Sequence, residues 1–364
     1  MTQNRPHVVG IDPGNSSAKV VASMSNGTEH KYVVPNVSAL AEELDVPPVS
    51  MHPLDRIDLE ILNPAPGYDG ERFIGKLAVK QCSQDIKQDR KRNKANSDNI
   101  NLITPAVLAM LCQDGDQVVL GIGSPFADFQ SQRPKIVERL QRVFRIRFGK
   151  YAGSRAGQTI EFEVISVSPY PQTAGGYIDQ AMGPIGLSHP EWARENVVTI
   201  DLGLGQTGFA YFSEGEPAKP GCFSVDEAFI RAARGVQQFI SSAHYVDYTI
   251  PEILNVIERG KIVLENEHID MTPMVEIELG QLVSALQKRY DEKMPAKLKG
   301  EANPILLIGG GSLAPGAVDI FQEHFRLPVV VGHDPRYSNA RGFREHALKK
   351  YEKHEREMAN VGAR

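Results

Sequence analysis

Two stretches, GIDPGNSSAKV at residues 10–20 and TIDLGLGQTGF at residues 199–209, share one layout. Each places an aspartate at the end of an apolar strand, a glycine two residues later, and small hydroxyl or amide residues before a second strand. Glycine accepts positive φ and lets backbone N–H groups approach a phosphate closely. Either copy alone is more typical of a plain hairpin turn. Two matched copies predict duplicated α/β domains that face each other across one ligand.

A dinucleotide-binding fold is the other usual explanation of a glycine-rich turn after a strand. It fits poorly, because both copies continue into a second strand rather than a helix. Asp12 and Asp201 project from strand ends, where we expect them to hold a hydrated Mg²⁺ that bridges phosphate oxygens. Further donors to the same phosphates are expected from Ser16, Ser17, Lys19 and Thr207.

A third glycine-rich element, LLIGGGSLAPG at residues 306–316, follows a buried strand. Bare backbone at Gly309, Gly310 and Gly311 can pack against a flat adenine and its ribose. Alone, the motif favours a structural strand-to-helix turn. Its position after two phosphate hairpins favours a base-binding turn.

Composition sets the outer bounds of the interpretation. The 364 residues predict two to three domains, and the three widely spaced cysteines are typical of a reducing compartment. We expect a cytoplasmic protein without a signal peptide, a membrane span or a structural metal cluster. The net charge of −5 argues against binding a polyanion over the whole surface. A basic stretch at residues 87–94 is interpreted as a solvated loop, because acidic residues dilute it and no aromatics interleave it.

The order of first hairpin, linking segment, second hairpin and GGGS turn resembles that of the actin, heat-shock-chaperone and sugar-kinase ATPase superfamily, over nearly the whole chain. Within it, the chain is most similar to ParM/StbA-type plasmid-segregation actin-like proteins. The stretches that carry this similarity are ERFIGKLAVKQ (71–81), VVLGIGSP (118–125), GCFSVDEAFI (221–230) and NARGF (339–343).

This resemblance implies an α/β, actin-like (ribonuclease H-like, duplicated) two-domain ATPase fold with a nucleotide cleft between the domains. The implied domains are residues 1–190, with a smaller subdomain at about 30–100, and residues 191–335. Residues 336–364 form a helix that returns to the first domain, and a hinge role is implied for residues 339–342.

The resemblance also assigns residues to the site. The first phosphate loop comprises Asp12, Gly14, Asn15, Ser16, Ser17 and Lys19. The second comprises Asp201, Gly203, Leu204, Gly205, Gln206 and Thr207. The adenosine turn comprises Gly309, Gly310, Gly311 and Ser312.

Gln172, in PYPQTAGGY, falls where the family keeps a glutamate or glutamine that orients the attacking water. ParM carries a glutamate there, so this amide departs toward the actin-like choice. An amide orients water but is a poor general base, which implies slow hydrolysis. A plain polar residue at a strand end is the equal alternative. Lys261, in ERGKIVLE, matches a helix that approaches the ribose, with an ordinary surface lysine as the alternative.

The function implied is a filament-forming ATPase that binds ATP, or GTP, with Mg²⁺ and polymerises to segregate or position plasmid DNA. Its partners would be further copies of the chain, a DNA-binding adaptor protein and, through it, plasmid DNA. A small-molecule kinase of the same fold is the alternative, but it needs a substrate-facing carboxylate that the first domain does not evidently offer. A chaperone-type ATPase ranks last, since no peptide-binding domain follows.

Overall fold

The computed structural model describes residues 5–82, 87–88, 94–126, 129–182, 190–264 and 267–362. The chain forms two compact units, one of residues 1–175 with 340–364 and one of residues 176–339. The backbone therefore passes between the units twice, after Gly175 and after Asn339. The second passage falls in the segment with the predicted hinge, and hinge motion itself stays a prediction. Arg90, Lys91 and Arg92 of the predicted basic stretch lie outside the described residues.

The first unit is built on a ten-stranded sheet. Its strands are β1 (His7–Pro13), β2 (Ser17–Ser23), β3 (Glu29–Pro35), β4 (Val37–Leu40), β5 (Ile57–Ile61), β6 (Arg72–Ile74), β7 (Lys87–Gln88), β8 (Gln117–Ser124), β9 (Val143–Phe148) and β10 (Thr159–Pro171). Their spatial order is β3-β2-β1-β8-β10-β9-β5-β6-β4-β7. Strand β1 is antiparallel to β2 and parallel to β8, which is parallel to β10.

The second unit repeats the central part of this arrangement. Its strands are β11 (Asn196–Leu202), β12 (Thr207–Ser213), β13 (Glu216–Pro217), β14 (Phe223–Val225), β15 (Lys261–Leu264), β16 (Glu267–Asp270), β17 (Ile305–Ile308) and β18 (Val329–Val331). Strand β11 is antiparallel to β12 and parallel to β17, which is parallel to β18. The sequence repeat is therefore also a repeat of strand topology.

Helices cover these sheets. They are α1 (Lys76–Gln81), α2 (Thr104–Leu111), α3 (Phe129–Leu140), α4 (Ala174–Met182), α5 (Ile230–His244), α6 (Ile250–Arg259), α7 (Thr272–Lys293), α8 (Ala296–Glu301), α9 (Ala317–Phe325) and α10 (Ser338–Gly362). Among the described residues, no helix combines the length and the apolar character that crossing a membrane requires.

The start of α10 packs directly on the backbone of the first sheet. A Cβ added to Gly121 of β8 would lie 2.0 Å from the carbonyl oxygen of Phe343. Phe343 is fully buried, and Ala347 one turn later joins a cluster with Val8 and Val119. The bare backbone of β8 thus sets how closely the C-terminal helix approaches the strands that carry the first hairpin.

One predicted helix ends earlier than expected, so the predicted helical placement of Lys261 is corrected, while its predicted approach to the ribose stays a prediction. Gly260 caps α6 in the left-handed conformation, with φ 66°. Such a glycine ends a helix because it adopts positive φ without strain from a Cβ. Lys261 therefore begins β15, paired with Asp270 of β16, and its side chain is exposed on a strand rather than on a helix.

A buried carboxyl group lies in the outer part of the first sheet. Asp58 of β5 is fully buried, and its Oδ2 accepts a hydrogen bond from the backbone N–H of Tyr151 at 2.7 Å. Burial, reinforced by the neighbouring Glu71, raises the pKa of Asp58 to about 7 despite that hydrogen bond. The folded chain therefore holds a proton here that an unfolded aspartate would release.

We expect Gly121→Ala to destabilise the first unit by about 1–3 kcal/mol, because the added methyl group forces α10 away from β8. Gly280→Ala is the control: this helical glycine of α7 has nothing within 4 Å of the added Cβ. Alanine should stabilise that helix by roughly 0.5–1 kcal/mol. Urea unfolding of the two variants measures both effects, and equal midpoints would contradict the close packing.

The raised pKa of Asp58 predicts a pH dependence of stability with a definite sign. Between about pH 4 and 7 the folded state binds more protons than the unfolded state, so the free energy of unfolding falls as pH rises. This group contributes at most about 1.4 kcal/mol per pH unit. Asp58→Asn keeps an acceptor for Tyr151 and should flatten this part of the profile, as measured by urea unfolding across that range. The exposed Asp69→Asn is the control, and an unchanged slope in Asp58→Asn would refute the assignment.

Candidate functional site

The two hairpins have the same turn. In the first, Pro13 pairs with Ala18, and in the second, Leu202 pairs with Thr207, so each turn spans the four residues between. The glycine that opens each turn donates its N–H to the carbonyl of the aspartate two residues before it, at 2.9 Å for Gly14 and 3.0 Å for Gly203. The repeat in sequence is thus a repeat in conformation.

Each turn requires its first glycine for the same reason. A Cβ on Gly14 would lie 2.8 Å from the carbonyl oxygen of Ser17, and a Cβ on Gly203 would lie 2.6 Å from that of Gln206. A Cβ on Gly14 would also lie 2.8 Å from Nζ of Lys19. The predicted ammonium group therefore lies beside the first turn.

Asn36 holds the first turn by hydrogen bonds to its backbone carbonyls. Its backbone N–H donates to the carbonyl of Ser16 at 3.0 Å, and its Nδ2 donates to that of Asn15 at 3.3 Å. The side chain is almost fully buried. Asn36 was not among the predicted site residues, because nothing in its local sequence pattern shows that a buried asparagine lies under the hairpin.

The first turn of α5 does the same for the second hairpin. The N–H groups of Phe229 and Ile230 donate to the carbonyls of Gly203 and Leu204, both at 3.0 Å. In a planar trans peptide, the N–H group points opposite to the C=O group. Because these carbonyls point into the protein, the N–H groups of the same peptides point the other way, as binding an anion requires.

The structure brings the predicted residues Asp12 and Gln172 together. Asp12 is buried, and its Oδ1 accepts a hydrogen bond from Nε2 of Gln172 at 3.2 Å. The backbone N–H of Gln172 donates to the carbonyl of Ser124 at 2.7 Å, which joins the ends of β10 and β8. With its amide nitrogen directed at Asp12, Gln172 keeps an amide oxygen that can accept a hydrogen bond from water.

Asp201 is held in a comparable way in the second unit. Its Oδ2 accepts a hydrogen bond from Nδ2 of Asn339 at 2.8 Å. Its Oδ1 lies against Gly309, where an added Cβ would lie only 2.5 Å away. Gly309 has φ 88°, which also favours glycine. The GGGS turn at residues 309–312 therefore packs directly on the carboxylate of the second hairpin.

The glycines of this turn have different surroundings. A Cβ on Gly311 would lie 2.6 Å from the Leu202 side chain, whereas Gly310 is exposed and has nothing within 4 Å of that position. Ser312 donates its hydroxyl to the carbonyl of Gly309 at 2.7 Å, which closes the turn. Gly310 is thus the glycine of the three whose bare backbone faces open space.

The remaining residues of the second loop differ in accessibility. Gly205 and Gln206 are exposed, and Nε2 of Gln206 donates to Oδ1 of Asp226 at 3.3 Å. Thr207 is fully buried, and its hydroxyl has no hydrogen-bond partner among the described residues. The predicted contact of the Thr207 hydroxyl with phosphate is therefore not supported by its placement, whereas the carboxylate oxygens of Asp12 and Asp201 are donors that Mg²⁺ and its bound water prefer. In each unit taken by itself, the residues fit the predicted phosphate-and-magnesium chemistry.

A separate cluster, His7, Cys112 and Asp116, groups three metal-ligating side chains. The Nδ1 atom of His7 accepts the backbone N–H of Ser25 at 2.9 Å, and Nε2 lies 2.8 Å from Oδ2 of Asp116. In a neutral imidazole, the proton is then on Nε2 and is donated to the carboxylate. Burial raises the pKa of the Cys112 thiol well above its usual range, and both ring nitrogens of His7 are already engaged. The cluster is thus best described as a buried histidine–aspartate hydrogen bond.

Comparison with known families gives one match. Residues 10–175 match the family described as the N-terminal domain of actin-like proteins. No curated protein sequence matches the chain.

Solved structures match over nearly the whole chain. The archaeal actin homologue Ta0583 is 18% identical, with a TM-score of 0.73, over 94% of this chain and 99% of that one. ParM from Bacillus thuringiensis, solved with AMPPNP, is 15% identical with a TM-score of 0.68, covering 96% and 100%. ParM from a 15-stranded filament of Clostridium botulinum is 17% identical with a TM-score of 0.67, covering 95% and 99%. At these identities the likeness establishes the fold.

The predicted resemblance is thus confirmed: residues 10–175 match the N-terminal domain of actin-like proteins, and the chain has the two-domain actin-like fold of archaeal actin homologues and ParM proteins.

Proposed function

We propose that the chain is a filament-forming ATPase that binds ATP with Mg²⁺ at its two hairpins. The observation that carries this proposal is the matched pair of turns, each with inward-facing carbonyls and each preceded by an aspartate that a side-chain amide holds. A plain hairpin turn needs neither feature. Two relatives of the same fold support it, since the archaeal homologue was solved with ADP and the Bacillus ParM with AMPPNP.

Each turn contributes to phosphate binding through its backbone. The N–H groups opposite the anchored carbonyls can donate to phosphate oxygens, and Lys19 adds a positive charge at the first turn. Mg²⁺, when bound near Asp12 and Asp201, would neutralise charge on the phosphate oxygens. Gly310 offers the open backbone for the base, and ATP rather than GTP is the nucleotide we propose.

Gln172 is the proposed catalytic residue. Its Nε2 is directed at Asp12, so its amide oxygen can accept a hydrogen bond from the attacking water and orient it. Neither group of an amide takes up a proton readily near neutral pH. The side chain therefore acts by positioning the water, and we expect slow turnover.

The energy of hydrolysis is proposed to drive assembly and disassembly of filaments. A ParM relative of this fold was solved as a 15-stranded filament, and another as a non-polymerisable mutant. We propose further copies of the chain as the main partner. A DNA-binding adaptor protein would connect the filament to plasmid DNA in the cytoplasm, and the net charge of −5 agrees with an indirect rather than a direct link to DNA.

Polymerisation is tested by light scattering and electron microscopy of the purified chain with ATP and Mg²⁺. We expect a rise in scattering and visible filaments above a critical concentration, with neither in EDTA. GTP in place of ATP tests the choice of base. Asp12→Ala should abolish the rise, and the exposed Asp69→Ala should not. Flat scattering over a wide range of wild-type concentrations would exclude the filament proposal.

The role of Gln172 is tested by single-turnover hydrolysis. Gln172→Ala removes the oxygen that orients water, so the hydrolysis rate should fall by about 10²-fold. Affinity for ADP with Mg²⁺ should stay within several-fold, because the hairpins remain. Gln158→Ala, an exposed glutamine of the same unit, is the control. An unchanged rate in Gln172→Ala would assign this residue to structure instead.

A further inference from the structure

A second repeat occurs at the two points where the backbone passes from one unit to the other. Gln172 precedes Gly175 by three residues, and Asn339 precedes Gly342 by three residues. Gln172 lies in the turn just before α4 and Gly175 in the first turn of that helix, whereas Asn339 and Gly342 lie in the first turns of α10; the backbone passes from one unit to the other in these two helices. Each passage thus begins with a side-chain amide.

Both amides have the same kind of target. Nε2 of Gln172 donates to Oδ1 of Asp12, and Nδ2 of Asn339 donates to Oδ2 of Asp201. The two contacts lie within different units, and each joins the start of a passage to the aspartate of that unit's hairpin. An amide–aspartate pair is therefore part of the duplicated architecture.

Asn339 makes a further contact that links the two passages. Its Oδ1 accepts the backbone N–H of Gly176, in the first turn of α4, at 3.0 Å. The first N–H groups of a helix have no partner within the helix and need an acceptor from elsewhere. Asn339 is only 4% exposed and lies at the start of the second passage. Its side chain accepts a hydrogen bond from Gly176, the first residue after the first passage, and donates one to Asp201.

A helix cap alone does not account for this arrangement. Capping uses only an acceptor oxygen, which serine or aspartate also supplies. Asparagine adds a donor, and here that donor is used on a carboxylate, where a hydrogen bond is stronger than one between neutral groups. Gly309 lies against the other carboxylate oxygen, so Asp201 is restrained on both sides.

We propose that Asn339 is a positioning residue for Asp201: it fixes the carboxylate for magnesium-bound nucleotide and transmits its position to the start of α4. This inference rests on the proposed function and deepens it. The side-chain amide of Asn339 is engaged by Asp201 and by the backbone of Gly176. Its effect on nucleotide binding passes through Asp201.

A double-mutant cycle tests this dependence. ADP binding is measured by calorimetry, with Mg²⁺ and with EDTA, for wild type, Asn339→Ala, Asp201→Ala and the double variant. Asn339→Ala should weaken the enhancement of binding by Mg²⁺ about tenfold and leave binding in EDTA within twofold. In the Asp201→Ala background the same change should have an effect below twofold. Equal effects in both backgrounds, or losses equal with and without Mg²⁺, would overturn the proposal.

Asn255→Ala, an exposed asparagine of α6, is the matched control and should bind like wild type. If the wild-type chain binds no ADP at all, the proposed function is wrong. A second measurement decides the positioning role in that case.

The second measurement is residue-resolved hydrogen exchange of the ligand-free chain. Asp201→Ala leaves the donor of Asn339 without its carboxylate, so the N–H of Gly176 should exchange about tenfold faster than in wild type. This variant leaves the buried Asn339 intact, and its folding is checked by urea unfolding. Unchanged exchange at Gly176 would show that Asp201 and the start of α4 are not linked through Asn339.

Discussion

Both hairpins depend on one steric constraint: a Cβ on the first glycine of the turn, Gly14 or Gly203, would lie only 2.8 or 2.6 Å from the carbonyl oxygen three residues later in the same turn. This constraint fixes where the turn bends, and the bend decides which way its peptides face. The N–H groups of Asn36 in one unit, and those at the start of α5 in the other, then donate hydrogen bonds to the carbonyls of the turn. Any side chain at Gly14 or Gly203 would open the turn and release those carbonyls. The orientation of the N–H groups thus follows from a steric constraint.

Withdrawing the aspartates before these turns from water costs free energy, and their hydrogen-bond donors offset that cost. A carboxylate removed from water needs hydrogen-bond donors. In each unit a side-chain amide supplies one of them: Gln172, just before α4, and Asn339, at the start of α10. An amide satisfies the carboxylate without neutralising its charge, so each aspartate stays able to attract a cation. A lysine or arginine in the same place would remove that property.

The hairpins, the buried strands after them and the C-terminal helix could all be predicted from sequence, because each is a local pattern of apolar residues and glycines. The amide partners could not be found in this way. Gln172 is 160 residues from Asp12, and Asn339 is 138 residues from Asp201, so only the fold shows that they meet. The resemblance to a known family led to Gln172, but for Asn339 it gave only a hinge. The helical prediction at Lys261 failed because Gly260 was not recognised as a helix cap.

The packing of α10 on β8 has a consequence for the order in which the chain becomes stable during synthesis. The second unit is continuous in sequence, so all its strands and helices exist once residue 339 has left the ribosome. The first unit begins earlier but lacks its covering helix until residues 340–364 follow. Domains generally fold as units, so we expect the sheet of the first unit to reach its full stability only once residues 340–364 can pack on it. The unit that is interrupted in sequence is then completed after the continuous one.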